Sequence, residues 1–163
     1  MKKIIFLIIM MAWCSFDCFE YSEPIVENNL VQKSQLPEYG YISIPKIKLN
    51  YIFLNNNNVD KNIIVLKPSE YPNKEKSLLI LAGHSGSGKY AYFNNLYKLK
   101  KEDKIYITYN NVKYLYSIVD IYYEKKDGDL KIYKFKDTKT LVLITCTNNN
   151  KNLQTIYVSK FIK

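Results

Sequence analysis

Short apolar runs separated by polar turns make up most of the chain after residue 39. Runs of this length, rich in β-branched and aromatic side chains, are typical of β-strands. The predicted strands cover residues 40–44, 49–54, 78–83, 104–109, 113–123, 140–146 and 154–162. Asn110 and Asn111 stand between two of them and predict a tight hairpin turn.

Helix is predicted in two places only. Residues 90–99 suit one or two helical turns, because Phe93, Leu96 and Leu99 fall on one face. A cluster of asparagines before residue 59 predicts a short helix over 59–65. Seven or so strands with so little helix indicate an all-β domain, a closed or nearly closed antiparallel barrel or sandwich.

The predicted strand T-L-V-L-I-T-C at residues 140–146 is central to the interpretation of the chain. Its four central residues are apolar without interruption, which indicates a strand buried on both faces. Cys146 lies where this strand ends and a polar loop begins. A thiol in that position is held by a rigid element and is open to a cleft, as an attacking cysteine needs to be. The alternative is a structural cysteine packed as a small apolar side chain.

His84, the one histidine of the chain, also follows a buried strand. If both strands belong to one barrel, the imidazole and the Cys146 thiol can lie at the same rim. That pair is the minimum for cysteine nucleophile chemistry, in which a thiolate attacks and an imidazole protonates the leaving amine. A single histidine can equally be structural.

The sequence G-H-S-G-S-G-K at residues 83–89 matches the first seven positions of a phosphate-binding P-loop. The eighth position requires Ser or Thr and is Tyr90, and no long helix or parallel α/β sheet is predicted around it. We therefore interpret the glycines as a sharp turn beside His84. No nucleotide or other cofactor is expected.

The N-terminus has the layout of a secretory signal or signal-anchor, with Lys2 and Lys3 before an apolar run over residues 4–13. The run ends before Asp17, which is short for a membrane span, and no clear small-residue cleavage site follows. We interpret residues 1–20 as an uncleaved signal-anchor, with a cleaved signal peptide as the alternative.

The predicted organisation continues with a polar tether over residues 21–39 and a folded domain over 40–163. The basic N-terminus predicts a single-pass protein of the cell membrane with this domain on the extracellular face. Cys14 and Cys18 belong to the hydrophobic end, so Cys146 is unpaired in the exported domain. One histidine and one cysteine do not form a metal site of the usual kind.

The charge of the chain does not by itself exclude any class of function. The chain has 24 basic residues, all of them lysine, and a net charge of +9, which favours anionic partners. The lysines are scattered, as on an ordinary solvated surface. A basic, tyrosine-rich barrel that binds single-stranded nucleic acid or a wall polymer is an alternative function, but we expect no nucleic acid partner.

Several motifs, in order along the chain, resemble those of the sortase family of Gram-positive cell-surface cysteine transpeptidases. They are G-Y-I-S-I-P-K-I at 40–47, L-A-G-H-S at 81–85, F-N-N-L at 93–96, K-L-K-K-E-D-K-I at 98–105 and L-V-L-I-T-C at 141–146. The resemblance implies an eight-stranded sortase β-barrel. It also implies that Cys146 is the nucleophile, His84 the family histidine and Thr145 the usual neighbour.

One position departs from the family pattern. Sortases carry an arginine on the last strand, and here the segment reads Q-T-I-Y-V, with Gln154 in its place. An amide can donate a hydrogen bond to an oxyanion but carries no charge, and loss of such a donor typically costs about 10²–10³ in rate. A lysine such as Lys151 could replace the arginine in part, without its planar fork. An attenuated or silent barrel that binds sorting peptides is therefore the alternative.

The resemblance also implies the partners. A sortase cleaves a sorting motif in a secreted protein through a thioester and transfers the protein to an amine of a cell-wall precursor or of another protein. The segment between residues 123 and 140 shapes the motif pocket in the family, and no Asp-Pro-aromatic lid motif precedes residue 40, which argues against a pilin-polymerising type. The substrate-binding candidates are Thr145, Ser85, Tyr123 and Leu130.

Overall fold

The computed structural model describes residues 39–56, 58–127 and 130–163. Within these residues eight strands form a closed barrel in the order β1-β2-β3-β4-β7-β8-β6-β5. The strands are β1 Tyr39–Ile44, β2 Leu49–Leu54, β3 Ile63–Val65, β4 Leu78–Ala82, β5 Lys104–Tyr109, β6 Val112–Lys125, β7 Thr140–Thr147 and β8 Asn150–Phe161. Two short 3₁₀ helices, Pro45–Ile47 and Asn94–Lys98, complete the regular structure of the described residues.

The predicted all-β, closed, eight-stranded barrel is confirmed. The prediction of antiparallel pairing is corrected for two pairs of strands. Of the eight strand pairings in the described residues, six are antiparallel, while β2–β3 and β4–β7 are parallel. The sequence separates β4 from β7 by β5 and β6, so this pairing is set by closure of the barrel and not by a local turn.

Alternation along the central strands places apolar side chains on both faces of the sheet. Leu141 and Leu143 belong to the inner cluster that fills the barrel, whereas Val142 and Ile144 belong to a second cluster on the opposite face. We call the second one the outer cluster; its buried members are Ile80, Val142, Ile144, Ile156 and Val158. The prediction of a strand buried on both faces is therefore confirmed.

The helix predicted over residues 59–65 is wrong. Its last three residues form β3, which pairs with both β2 and β4. Ile63 and Ile64 are buried there, so closure of the barrel outweighs the helix-start signal of the preceding asparagines. The helical turn predicted within 90–99 is a 3₁₀ helix, with Phe93, Leu96 and Leu99 buried.

The hairpin between β5 and β6 turns as predicted. Asn110 and Asn111 have φ angles of 49° and 62°, and asparagine tolerates this left-handed conformation better than most residues. The turn fixes the register in which β5 and β6 pair.

The stretch between β6 and β7, residues 126–139, is described except for positions 128 and 129, and we call it the β6–β7 segment. Leu130, Ile132 and Phe135 pack against the outer cluster. Tyr133 donates a hydrogen bond of 3.0 Å to Asp120, and Lys134 pairs with Glu70 at 3.0 Å. The segment therefore covers the outer face of the sheet.

The predicted signal-anchor and nearly all of the predicted tether lie outside the described residues. Among the residues that are described, none belongs to a helix of the length and apolar character that a membrane crossing requires.

Candidate active site

The parallel pairing of β4 with β7 brings together the ends of the two strands that sequence analysis singled out. Ala82 pairs with Ile144, and the Gly83 amide donates a 3.2 Å hydrogen bond to the Ile144 carbonyl. Parallel strands run in the same direction, so the residues that follow, His84 and Cys146, leave the sheet at the same edge. The Ser85 hydroxyl closes this junction by donating to the Cys146 carbonyl at 2.7 Å.

A row of polar side chains crosses the sheet at this edge. Cys146 pairs with Gln154 on β8, and Gln154 pairs with Glu124 on β6. Directly paired residues of neighbouring strands project to the same face. Because side chains alternate along a strand, Cys146 lies on the face of Val142 and Ile144. The polar row therefore borders the outer cluster at the end of the sheet.

His84 stands at the other side of Cys146 from Gln154. Its backbone carbonyl accepts a 2.9 Å hydrogen bond from the Phe93 amide, which ties the loop to the buried start of the 3₁₀ helix. Its Nε2 lies 3.2 Å from Oδ1 of Asp60, and the His84 side chain is 42% exposed. The His84 loop is thus held through its backbone, and the imidazole lies beside an exposed carboxylate and is itself open to solvent.

Thr145 and Ser85, the two candidates nearest to the Cys146 backbone, both use their hydroxyl groups in hydrogen bonds within the protein. The Thr145 hydroxyl is buried and donates a 2.8 Å hydrogen bond to the Gly83 carbonyl. Alternation turns this side chain to the inner face, away from Cys146. Thr145 therefore joins β7 to the His84 loop. Ser85 does the same through the Cys146 carbonyl, and both residues line a small pocket at this end of the barrel.

The two remaining substrate-binding candidates lie apart. Leu130 packs on the outer cluster, on the face that carries Cys146. Tyr123 pairs with Thr155, a position of the opposite face, and its side chain is 62% exposed. The structure places Leu130, but not Tyr123, on the face of the polar row.

The glycine-rich loop forms the predicted turn. Gly86 has a φ of +123°, a conformation that side chains disfavour. Its amide donates a 3.1 Å hydrogen bond to the Asn94 side chain. The element that follows is the five-residue 3₁₀ helix and not the long helix of a P-loop protein.

The family comparison agrees with this geometry. The sortase domain matches residues 42–160. This chain belongs to the sortase family. Sortase A of Bacillus anthracis is 30% identical over 129 residues, which cover 78% of this chain and 60% of that protein. The chain therefore spans 60% of the length of this curated relative.

Solved sortases share the barrel. Sortase C1 from Streptococcus agalactiae is 30% identical with a TM-score of 0.66, over 76% of this chain and 67% of that one. A lid mutant of sortase A from Corynebacterium diphtheriae superposes with a TM-score of 0.72 over 81% of this chain and 74% of its own. Its sequence is 22% identical, so this similarity supports the fold alone. Sortases as a family are cysteine transpeptidases that act on sorting-motif proteins and amine nucleophiles.

Two residues that touch the candidate pair of this sortase were missed by sequence analysis. Asp60 contacts His84, and Lys126 Nζ lies 3.0 Å from Sγ of Cys146. Both stand in polar runs that resemble ordinary surface loops, so no local signal separates them from their neighbours. Lys151, the lysine considered as a partial replacement for the arginine, is exposed on β8 beside Lys126.

No cluster of three or more histidine, cysteine or acidic side chains that could hold a metal ion occurs in the described part of the chain. The side chains that the structure brings together at the candidate site carry a thiol, an imidazole, an amide and an ammonium group.

Proposed function

We propose that this sortase is an active cysteine transpeptidase in which Cys146 is the nucleophile and His84 the acid and base. One observation carries the proposal: parallel pairing of β4 and β7 delivers both side chains to the same edge of one barrel. Cys146 is a free, partly exposed cysteine at the end of a rigid strand, which is the setting that nucleophilic cysteines require.

The first half-reaction forms a thioester. The Cys146 thiolate attacks a backbone carbonyl carbon of the sorting motif, forming a C–S bond and leaving negative charge on the carbonyl oxygen. The C–N bond then breaks, and the departing amine takes a proton from the His84 imidazolium. The acyl-enzyme and a free amine result.

The second half-reaction transfers the acyl group. An incoming amine attacks the thioester carbon and gives its proton to His84. The C–S bond breaks, and sulfur leaves as the thiolate, ready for the next cycle. Both Gln154, directly across from Cys146, and the backbone amide of Thr147 are our candidates for stabilising the oxyanion in both halves.

The substrates are proposed by class. A secreted protein with a sorting motif would bind along the outer face of the sheet, where Leu130 of the β6–β7 segment packs. The amine would come from a cell-wall precursor or another protein. We further propose that residues 1–20 hold the enzyme at the membrane, with the barrel outside the cell. The support is the basic start followed by an apolar run, and fractionation of cells with protease accessibility of the barrel tests it.

The central experiment follows the acyl-enzyme. The protein is incubated with a library of sorting-type peptides, with hydroxylamine as a small amine, and both the acylated enzyme and the hydroxamate product are measured by mass spectrometry. Cys146→Ala is expected to form neither. His84→Ala is expected to lose product formation by about 10²–10⁴, the usual contribution of a positioned proton-transfer group.

A matched control is Tyr41→Ala, an exposed residue of β1, which should turn over like the wild type. Undiminished product from either site variant would contradict the proposal. Peptide binding without any acyl-enzyme would instead support the second candidate function, a silent sortase barrel that binds sorting peptides. The uncharged Gln154 in the arginine position is the observation that favours that candidate.

A further inference from the structure

We propose that Lys126 is a further catalytic residue, whose ammonium group supplies from the β6–β7 segment the positive charge that this sortase lacks at Gln154. The role of Lys126 in turnover rests on the acyl transfer proposed above. The starting observation is the 3.0 Å contact between Lys126 Nζ and Cys146 Sγ, a contact with the reacting atom itself.

Strand register directs the Lys126 side chain to that atom. Glu124 pairs with Gln154 and Lys125 with Leu153, and the Lys126 amide continues the ladder by donating 3.1 Å to the Asn152 carbonyl. Side chains two residues apart along a strand project to the same face. Lys126 therefore shares the face of Glu124, which is also the face of Gln154 and Cys146.

The charge of Lys126 is not taken up by a carboxylate in the described part of the chain. Ion pairs found there engage other lysines, at Lys46–Asp103, Lys101–Asp120 and Lys134–Glu70. Glu124 and Asp127 lie close in sequence, yet the contact shown for the Lys126 ammonium is the sulfur. A cation in this position interacts more favourably with a thiolate than with a thiol.

The same cation can serve the next step. In the tetrahedral intermediate the oxyanion is two covalent bonds from Sγ, so a small rotation of the flexible lysine stem carries the ammonium from sulfur to oxygen. Lysine is a compact point charge without the planar fork of arginine. It replaces the charge of the family arginine but not its two-pronged hydrogen bonding, and the Gln154 amide supplies one neutral donor beside it.

The test compares Lys126→Gln and Lys126→Arg with the matched control Lys125→Gln, whose side chain belongs to the other face of the strand. Two quantities are measured at pH 7: the rate at which iodoacetamide alkylates Cys146, followed by peptide mapping, and kcat with the peptide found above. We expect Lys126→Gln to slow alkylation by about tenfold and kcat by about 10². Lys126→Arg should retain most of both rates, and Lys125→Gln should match the wild type.

The alkylation arm needs no peptide substrate, so it tests the Lys126 contact even if the acyl transfer proposed above fails. Alkylation of Lys126→Gln at the wild-type rate, with unchanged melting temperature, would overturn the contact with the thiolate. A second variant tests the replacement: adding Gln154→Arg to Lys126→Gln should restore kcat by at least tenfold. If the added arginine leaves kcat unchanged, the claim that Lys126 replaces the charge of the missing arginine is overturned.

Discussion

Gln154 stands where the sequence resemblance places the arginine of other sortases. It pairs directly with Cys146 and projects to the same face. Its amide can therefore reach the oxyanion that forms when the Cys146 sulfur attacks a substrate carbonyl carbon. A neutral donor in this place holds less developing charge than a guanidinium would. The ammonium of Lys126, which follows the neighbouring strand β6 and lies on the same face, compensates for that difference in our proposal.

Replacing Gln154 by Ala is expected to reduce kcat about 10²-fold, the lower end of the usual cost of losing one oxyanion donor. The effect should fall on kcat and not on KM, since the oxyanion exists only beyond the ground state. Steady-state kinetics with the identified peptide measure it. Asn152→Ala, two residues along β8 and therefore on the same face, is the control. An equal loss in both variants would contradict a specific role for Gln154.

Asp60 offers a second test at the scale of a single residue. Its side chain is 84% exposed, and ion pairs so open to solvent contribute little, about 0–1 kcal/mol. Asp60→Asn should therefore lower kcat/KM by less than about fivefold, far less than His84→Ala does. A loss as large as that of the histidine variant would show that the imidazole depends on this carboxylate for catalysis.

At the scale of single elements, the β6–β7 segment is the one that covers the outer face of the sheet. Apolar contacts of Leu130, Ile132 and Phe135 hold it on the outer cluster, and Tyr133 and Lys134 add polar contacts to neighbouring elements. The Lys101 ammonium and the Tyr133 hydroxyl beside Asp120 keep the pKa of that carboxyl below its usual value. The anchor of the segment therefore stays charged at neutral pH.

Leu130→Ala and Tyr123→Ala distinguish the two faces of the sheet as binding surfaces. If the sorting motif lies on the outer face, Leu130→Ala raises KM several-fold, whereas Tyr123→Ala leaves KM within about twofold of the wild type. Kinetics of both variants at equal folded fraction, checked by circular dichroism, provide the comparison. A larger effect of Tyr123 would place the substrate across the open end of the barrel and restore the sequence-based expectation for that residue.

At the scale of the whole molecule, buried tyrosines make the barrel sensitive to alkali. Burial, with a smaller contribution from the nearby Tyr123, raises the pKa of Tyr157 to about 12. The pKa of Tyr133, whose side chain is 43% exposed, is also raised, by partial desolvation and by its hydrogen bond to Asp120. Each folded tyrosine thus keeps its proton to a higher pH than it would in the unfolded chain.

The sign of the pH dependence follows from linkage. Between the unfolded value of 10.0 and about 12 the folded state binds more protons than the unfolded state, so the free energy of unfolding falls as pH rises. Urea unfolding should give a constant midpoint up to about pH 9 and a decreasing one above pH 10. Tyr157→Phe should flatten this decrease, whereas the exposed Tyr97→Phe should leave it unchanged; an equal slope in all three proteins would contradict the assignment.

Local pattern predicted most elements because a strand's alternation and a turn's asparagines act over a few residues. The strands, the Asn110-Asn111 hairpin and the turn at Gly86 belong to this class. The helix expected over 59–65 failed where a long-range requirement, the closing strand β3, competed with a local signal. Pattern also could not decide that β4 pairs in parallel with β7.

The sequence by itself determined which residues we propose for the chemistry: a thiol and an imidazole that each follow a buried strand, and a glutamine where the resemblance to the family implies arginine. Only the tertiary structure decided which of them meet. The pairing of β4 with β7, and of β8 with both β7 and β6, sets Gln154 and Lys126 beside Cys146, while Asp60 reaches His84 from a loop. Such neighbours arise from closure of the barrel over long separations along the chain, and no local pattern of residues encodes them.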